Sequence, residues 1–197
     1  MKFNQTQEIL FYHPVWQVEV SEIDNQSIKD YALDLRSKSD GTVISNRGGW
    51  HSKEIEQPLP DSLNTLLQFT QDYVNNESSK ITGMNDLFIG NWWININGPG
   101  DYNEVHDHQN AMLSAVYYVD VPAENTGDLE LHRNDTAEFF LKGYRNTNLF
   151  TSTCQLLKPA TGRMYIIPAW TKHSVRRNDS DTERISIAIN LVSKYNQ

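Results

Sequence analysis

At 197 residues with a formal net charge of −8, the chain is long enough for one well-buried core. Its acidic balance, without a long basic run, argues against a nucleic-acid surface or an anionic membrane as the main partner. A lone cysteine, Cys154, rules out an intramolecular disulfide and fits a reducing compartment. No apolar run is long enough to span a bilayer and residues 1–8 lack the apolar core of a signal peptide, so cytoplasmic residence is the expectation.

Residues 9–20 read as a strand, with Ile9-Leu10-Phe11-Tyr12, a turn at His13-Pro14, and alternation through Val15, Trp16, Val18 and Val20. Ser21 then opens a helix in which Ile23, Ile28, Tyr31, Ala32 and Leu35 recur at helical spacing. A second helix follows Pro60-Asp61, with an apolar stripe from Leu63 through Val74. Between them Gly41 and Gly48-Gly49 mark an irregular loop over the site mouth, in which Trp50 is placed to line a substrate groove. From residue 87 onward the pattern changes to short strands near 87–97, 104–108, 112–120, 128–132, 137–141, 154–158, 163–167, 173–177 and 183–192, with Gly, Pro, Asn and Asp between them. Such a series builds a sandwich or barrel, and no internal repeat competes with it. One domain over 1–197 is expected, with 1–86 supporting a β core at 87–197.

The segment His106-Asp107-His108 carries the chemistry. Side chains alternate faces along a strand, so His106 and His108 project to one side and Asp107 to the other. With His173 from a distant strand they form a three-point facial set that leaves positions open, the arrangement of a redox metal centre. A lone histidine is more often a surface or hydrogen-bonded residue, and His13, His51 and His132 are read that way, with His51 beside the Gly-Gly-Trp loop the one to watch.

The surrounding motifs resemble a family. Asn103-Glu104-Val105-His106-Asp107-His108, then Leu113-Ser114-Ala115-Val116-Tyr117-Tyr118-Val119 and Gly127, look like the first half of a 2-oxoglutarate/Fe(II)-dependent oxygenase core of prolyl-hydroxylase type. Gly162-Arg163-Met164-Tyr165-Ile166-Ile167-Pro168, His173-Ser174-Val175 and the strand from Glu183 to Asn190 resemble its second half. Residues 45–52 (Ser-Asn-Arg-Gly-Gly-Trp-His-Ser) are similar to a segment of a bacterial and phage branch of these oxygenases. The match covers roughly the C-terminal half, and its specificity lies in the order of the parts.

The resemblance implies a mainly β fold with flanking N-terminal helices, the double-stranded β-helix, a cupin-like jelly roll. It implies Fe(II), the cosubstrate 2-oxoglutarate and O2, with hydroxylation of a peptide side chain or small metabolite and release of succinate and CO2. The family pattern is His-x-Asp or His-x-Glu, whereas this chain has His-x-His. His108 then takes the carboxylate's place, giving three neutral imidazoles; Asp107 would do so only if a bulge re-aimed it. Arg184 matches the residue that grips the far carboxylate of 2-oxoglutarate, for which a guanidinium offers two parallel hydrogen bonds. Ser186 shares its strand face, and Tyr117 matches a phenol donating to the same carboxylate, with Tyr118 facing away. Asn95 and Asn97 are weaker cofactor-binding candidates, since buried amides on an aromatic strand need partners. Trp92, Trp93 and Trp170 read as core. Two alternatives stay open: a cupin-like three-histidine metal enzyme without 2-oxoglutarate, and a non-catalytic jelly-roll binding module. A homodimer is compatible with the sequence.

Overall fold

The computed structural model describes residues 6, 13–141, 148 and 150–194. Its first strand, β1 (Trp16–Glu19), is shorter than its apolar pattern predicts, and residues 9–12 lie outside the described residues. Helix α1 (Asn25–Lys38) starts later than Ser21 predicts. Glu22 takes a left-handed φ of 70°, which breaks any helix begun at Ser21. Asp24 becomes the cap instead, its Oδ1 accepting the Ser27 N–H at 3.0 Å. Two short strands, β2 (Asn46–Arg47) and β3 (Trp50–His51), occupy the stretch expected to be loop. Helix α2 (Asp61–Tyr73) follows Pro60 as predicted, then passes through a π-helical turn into α3 (Ser79–Thr82).

The remaining strands are β4 (Leu87–Asn97), β5 (Tyr102–His106), β6 (Leu113–Asp120), β7 (Leu129–His132), β8 (Cys154–Leu157), β9 (Arg163–Pro168), β10 (His173–Val175) and β11 (Arg184–Ser193). Residues 137–141, expected as a strand, form the short helix α4. Asp135 accepts the Ala137 N–H at 2.9 Å and so starts a helical turn, and Phe139 and Phe140 stand exposed on it.

Two antiparallel sheets result, one of six strands in the order β1-β9-β6-β11-β4-β3 and one of five in the order β2-β5-β10-β7-β8. Alternation along the central strands of the larger sheet separates its two faces. Ile185, Ile187, Ile189 and Leu191 of β11 join Ile28, Ala32, Leu63 and Leu66 of the helices in the main apolar core. Arg184, Ser186 and Ala188 turn the other way and line a pocket between the sheets. A smaller apolar cluster holds Tyr118, Leu129, Leu131, Tyr165 and Ile167, all but Leu131 lining that pocket. The helices therefore brace the outer face of one sheet and leave its inner face for chemistry.

Gly127 ties this frame to the pocket. It sits at φ 80°, where a Cβ would overlap the Arg176 carbonyl, and its own carbonyl accepts from the buried Arg184. Gly127→Ala is expected to destabilise the fold by about 1–3 kcal/mol, read as a lower midpoint in urea unfolding with an unchanged slope.

Candidate active site

Strand β5 ends at His106, two residues short of the predicted end. In the register of β5 and β10, His106 lies directly opposite His173, so their side chains share one face as a cross-strand pair. His108 follows on an irregular segment pinned by its N–H to the Ala169 carbonyl at 2.9 Å, in the turn that leads to His173. The three rings converge, with centroids 4.3 Å apart for His106–His173, 4.9 Å for His108–His173 and 5.3 Å for His106–His108.

Each ring is oriented by its Nδ1. That of His106 donates to the Glu104 carbonyl at 2.7 Å and that of His173 to the Thr171 carbonyl at 2.8 Å. The Nδ1 of His108 donates to Asn190 Oδ1 at 2.6 Å, with Ser114 Oγ equally close. A carbonyl oxygen only accepts, so these nitrogens carry the protons and every Nε2 keeps its lone pair. One potential ligand atom from each ring falls within 4.8 Å of the others. His108 Nε2 is buried without a hydrogen-bond partner, an arrangement that is costly unless a cation accepts the lone pairs. Burial and the neighbouring rings hold His173 down to about 3 and His108 to about 4, and burial lowers His106 too. The rings are thus neutral at physiological pH, as metal ligation requires. The donor set fits a divalent transition metal. Asp107 is absent from the convergent group; it lines the cleft on the outer side of His106 and His108 instead.

Behind the histidines the pocket runs between the sheets to Arg184. This guanidinium is 1% exposed. Its Nη1 donates to the carbonyls of Thr126 (2.5 Å) and Gly127 (2.8 Å), and its Nε is buried without a partner. No carboxylate of the described residues forms an ion pair with it: Glu183, its neighbour, bridges instead to Arg36 at 2.5 Å. Burial works against its charge, and Tyr118, Asp101 and Asp128 offset this only in part. An incoming anion would supply the missing partner.

Ser186, Asn95 and Asn97 line the same pocket, placed there by pairing, since Arg184 stands opposite Asn97 and Ser186 opposite Asn95. Tyr117 does not. Its hydroxyl donates to Asn25 Oδ1 on α1 at 2.8 Å, on the helix side of the sheet. Of the adjacent pair, Tyr118 is the one that lines the pocket with Arg184, its hydroxyl pushed up to about 12 by burial. The parity of β6 decides this, because Ser114, Val116 and Tyr118 share one face.

Three tryptophan readings also change. Trp50 faces neither the pocket nor the cleft beside it; its Nε1 donates to the Ser39 carbonyl at 2.8 Å and its ring packs on the core. Trp93 lines the pocket, edge-on to His108 at 5.4 Å, and Trp170 is 46% exposed. Trp92 does pack on the core. His51, read as an ordinary histidine, stacks on Trp93 at 5.2 Å and 13° and lines the outer cleft with His106 and His108. Sequence reasoning missed Asn190 and Ser114, although Asn190 lies at even spacing from Arg184 and both are polar residues within apolar strands.

The family model described as putative 2OG-Fe(II) oxygenase matches residues 91–190. No curated protein matches the chain. Among solved structures, a Pseudomonas putida prolyl-4-hydroxylase is similar over 92% of this chain and 94% of its own, at 15% identity and a TM-score of 0.63. A non-haem α-ketoglutarate-dependent carbocyclase of nogalamycin biosynthesis is similar over 92% and 80%, at 13% identity and a TM-score of 0.64. A Streptomyces hygroscopicus protein solved with nickel and 2-oxoglutarate bound is similar over 92% and 83%, at 10% identity and a TM-score of 0.60. At such identities the likeness speaks for the fold, the double-stranded β-helix.

Asn190→Ala removes the acceptor that orients His108 and is expected to weaken divalent-metal affinity by about tenfold to a hundredfold without unfolding the chain. Anaerobic calorimetric titration with Fe(II) measures it.

Proposed function

The chain belongs to the 2OG-Fe(II) oxygenase family, and from that membership we propose that it hydroxylates a peptide side chain or a small metabolite, with His106, His108 and His173 as the ligands of Fe(II). Among the described residues no helix is long and apolar enough to cross a membrane. Bound at the triad, iron with 2-oxoglutarate and O2 supplies the oxidising chemistry: one oxygen atom enters the substrate as hydroxyl, the other enters succinate, and CO2 leaves.

The protein's part is to bind, orient and exclude water. Three imidazoles on one side leave the opposite side free for ligands. Arg184 receives the remote carboxylate of 2-oxoglutarate, using the guanidinium edge that the Thr126 and Gly127 carbonyls leave open. Ser186 and Tyr118, lining the same pocket, offer hydroxyl donors to that carboxylate, and Asn95 and Asn97 offer amides along the way. The apolar walls of Leu129, Ile167 and Val175 keep the interior dry, which strengthens each of these contacts.

The single observation that carries this reading is a buried guanidinium, without an ion pair among the described residues, lining the same pocket as three convergent histidines. A cupin-like metal enzyme without 2-oxoglutarate gives Arg184 nothing to bind, and a non-catalytic module gives the convergent lone pairs no purpose. Arg184→Lys keeps a positive charge but loses the fork. It is expected to raise the 2-oxoglutarate concentration needed for half-maximal succinate release by about tenfold to a hundredfold, the loss of charge-assisted hydrogen bonds of about 1.5–3 kcal/mol, while Fe(II) affinity stays unchanged. An unchanged 2-oxoglutarate requirement would remove Arg184 from this role.

A further inference from the structure

Strand β4 is hydrogen-bonded to β11 along one side, and its other side is an edge that the protein caps almost completely. Ile94 donates its N–H to Ser52 Oγ at 3.0 Å and accepts the Ser52 N–H at 2.9 Å. Ile96 stands opposite Trp50 of β3, two residues along the same ladder. Beyond a bulge in the β11 register at Gly90, Ile89 donates to Gln71 Oε1 at 3.1 Å. Leu87 donates to Asn75 Oδ1 at 3.0 Å and accepts from Asn75 Nδ2 at 2.8 Å. In an antiparallel ladder, hydrogen-bonding direction alternates from residue to residue. Since Ile94 faces outward, so does Trp92. Its N–H and C=O have no partner among the described residues.

The gap opens where the chain departs from the ladder after Ser52. A cleft of about 560 Å³ fills the wedge, with Lys53, Glu54 and Ile55 on one wall and Gly90–Trp93 on the other. Its end is formed by His51, His106 and His108. The two latter histidines also line the inner pocket, so the metal face lies at the junction of an inner compartment ending at Arg184 and this outer one. The Nδ1 of His51 donates to the Ser52 carbonyl at 2.8 Å, which leaves its Nε2 as an acceptor in the neutral ring.

We infer that the outer cleft takes its substrate as an extended peptide segment, which adds a strand to the open edge of β4 at Trp92; this rests on the triad being the oxygenase centre. An unpaired N–H and C=O at strand spacing is the complement of another backbone, and strand addition is an established mode of peptide capture. The peptide residue opposite Trp92 turns its side chain to the helix-braced face, as Trp92 does. Its neighbour turns to the Trp93 face, toward the histidines. His51 stands there as an acceptor for an N–H or O–H of that residue. One residue pair gives only two backbone hydrogen bonds, each contributing on the order of 1 kcal/mol. Docking is therefore weak and tolerant of sequence, with selectivity left to the side chain beside Trp93.

Hydrogen exchange of the Trp92 amide in the full chain, followed by NMR, tests this. The probe is a pool of end-blocked synthetic heptapeptides with every residue type at each position, set against the same pool with alternate backbone amides N-methylated and against free amino acids. The plain pool is expected to slow exchange at Trp92 about tenfold or more, with Ile94 unaffected and the N-methylated pool inactive. In enzyme loaded with Fe(II) and 2-oxoglutarate, the plain pool should also raise succinate release and yield peptides carrying one added oxygen. Protection of Trp92 without succinate upholds strand addition and removes the oxygenase reading. Succinate release with Trp92 left unprotected, or driven equally by free amino acids, upholds the oxygenase and overturns the peptide.

Discussion

The site depends on one cross-strand pairing, His106 of β5 opposite His173 of β10. Two imidazoles on one face of one sheet approach to 4.3 Å, and the third is delivered by a segment tied through His108 N–H to the turn that precedes β10. A shift of the register by a single residue would send His106 to the opposite face. The smaller sheet thus sets the spacing of the histidines, while the larger sheet carries Arg184, Ser186 and the amides.

Electrostatics divides the pocket into two ends. At one, neutral imidazoles have every Nδ1 committed to an acceptor, so their lone pairs point at a common space. At the other, a buried guanidinium donates to two carbonyls and, among the described residues, forms no ion pair. Neither end is satisfied by the protein alone, and each such deficit in a low-dielectric interior is expensive. A metal at the first end and a dicarboxylate reaching to the second satisfy both. With the proposed set of three neutral imidazoles in place of two and a carboxylate, the protein would contribute no negative charge to the metal. The diacid would then supply charge at both ends of the pocket.

Much of this was legible in the sequence. The order of His106, His108, Arg184 and Ser186 among short apolar strands points to the fold and the chemistry, and strict alternation along β11 puts Arg184 and Ser186 together correctly. What stayed hidden depended on register and strand ends. The pair Tyr117-Tyr118 looks symmetric in sequence, and only the pairing of β6 with β11 turns Tyr118 inward and Tyr117 toward Asn25. Residues 137–141 have a strand's apolar content, but the Asp135 cap makes them helical. Trp50 and His51 looked like loop residues; once β3 pairs with β4, His51 turns to Trp93 and Trp50 to the core. The open edge at Trp92 has no sequence signature at all, since it is defined by what Gln71, Asn75 and Ser52 fail to reach.

The most direct test of the account is an anaerobic titration of metal-free protein with Fe(II) and then 2-oxoglutarate, followed by visible absorption. The weak charge-transfer band of a chelated keto acid should appear in the wild-type protein and vanish in His173→Ala. A protein that binds iron but forms no band, or a His173→Ala variant whose band is undiminished, would contradict the assignment of the three histidines as the centre of an oxygenase site.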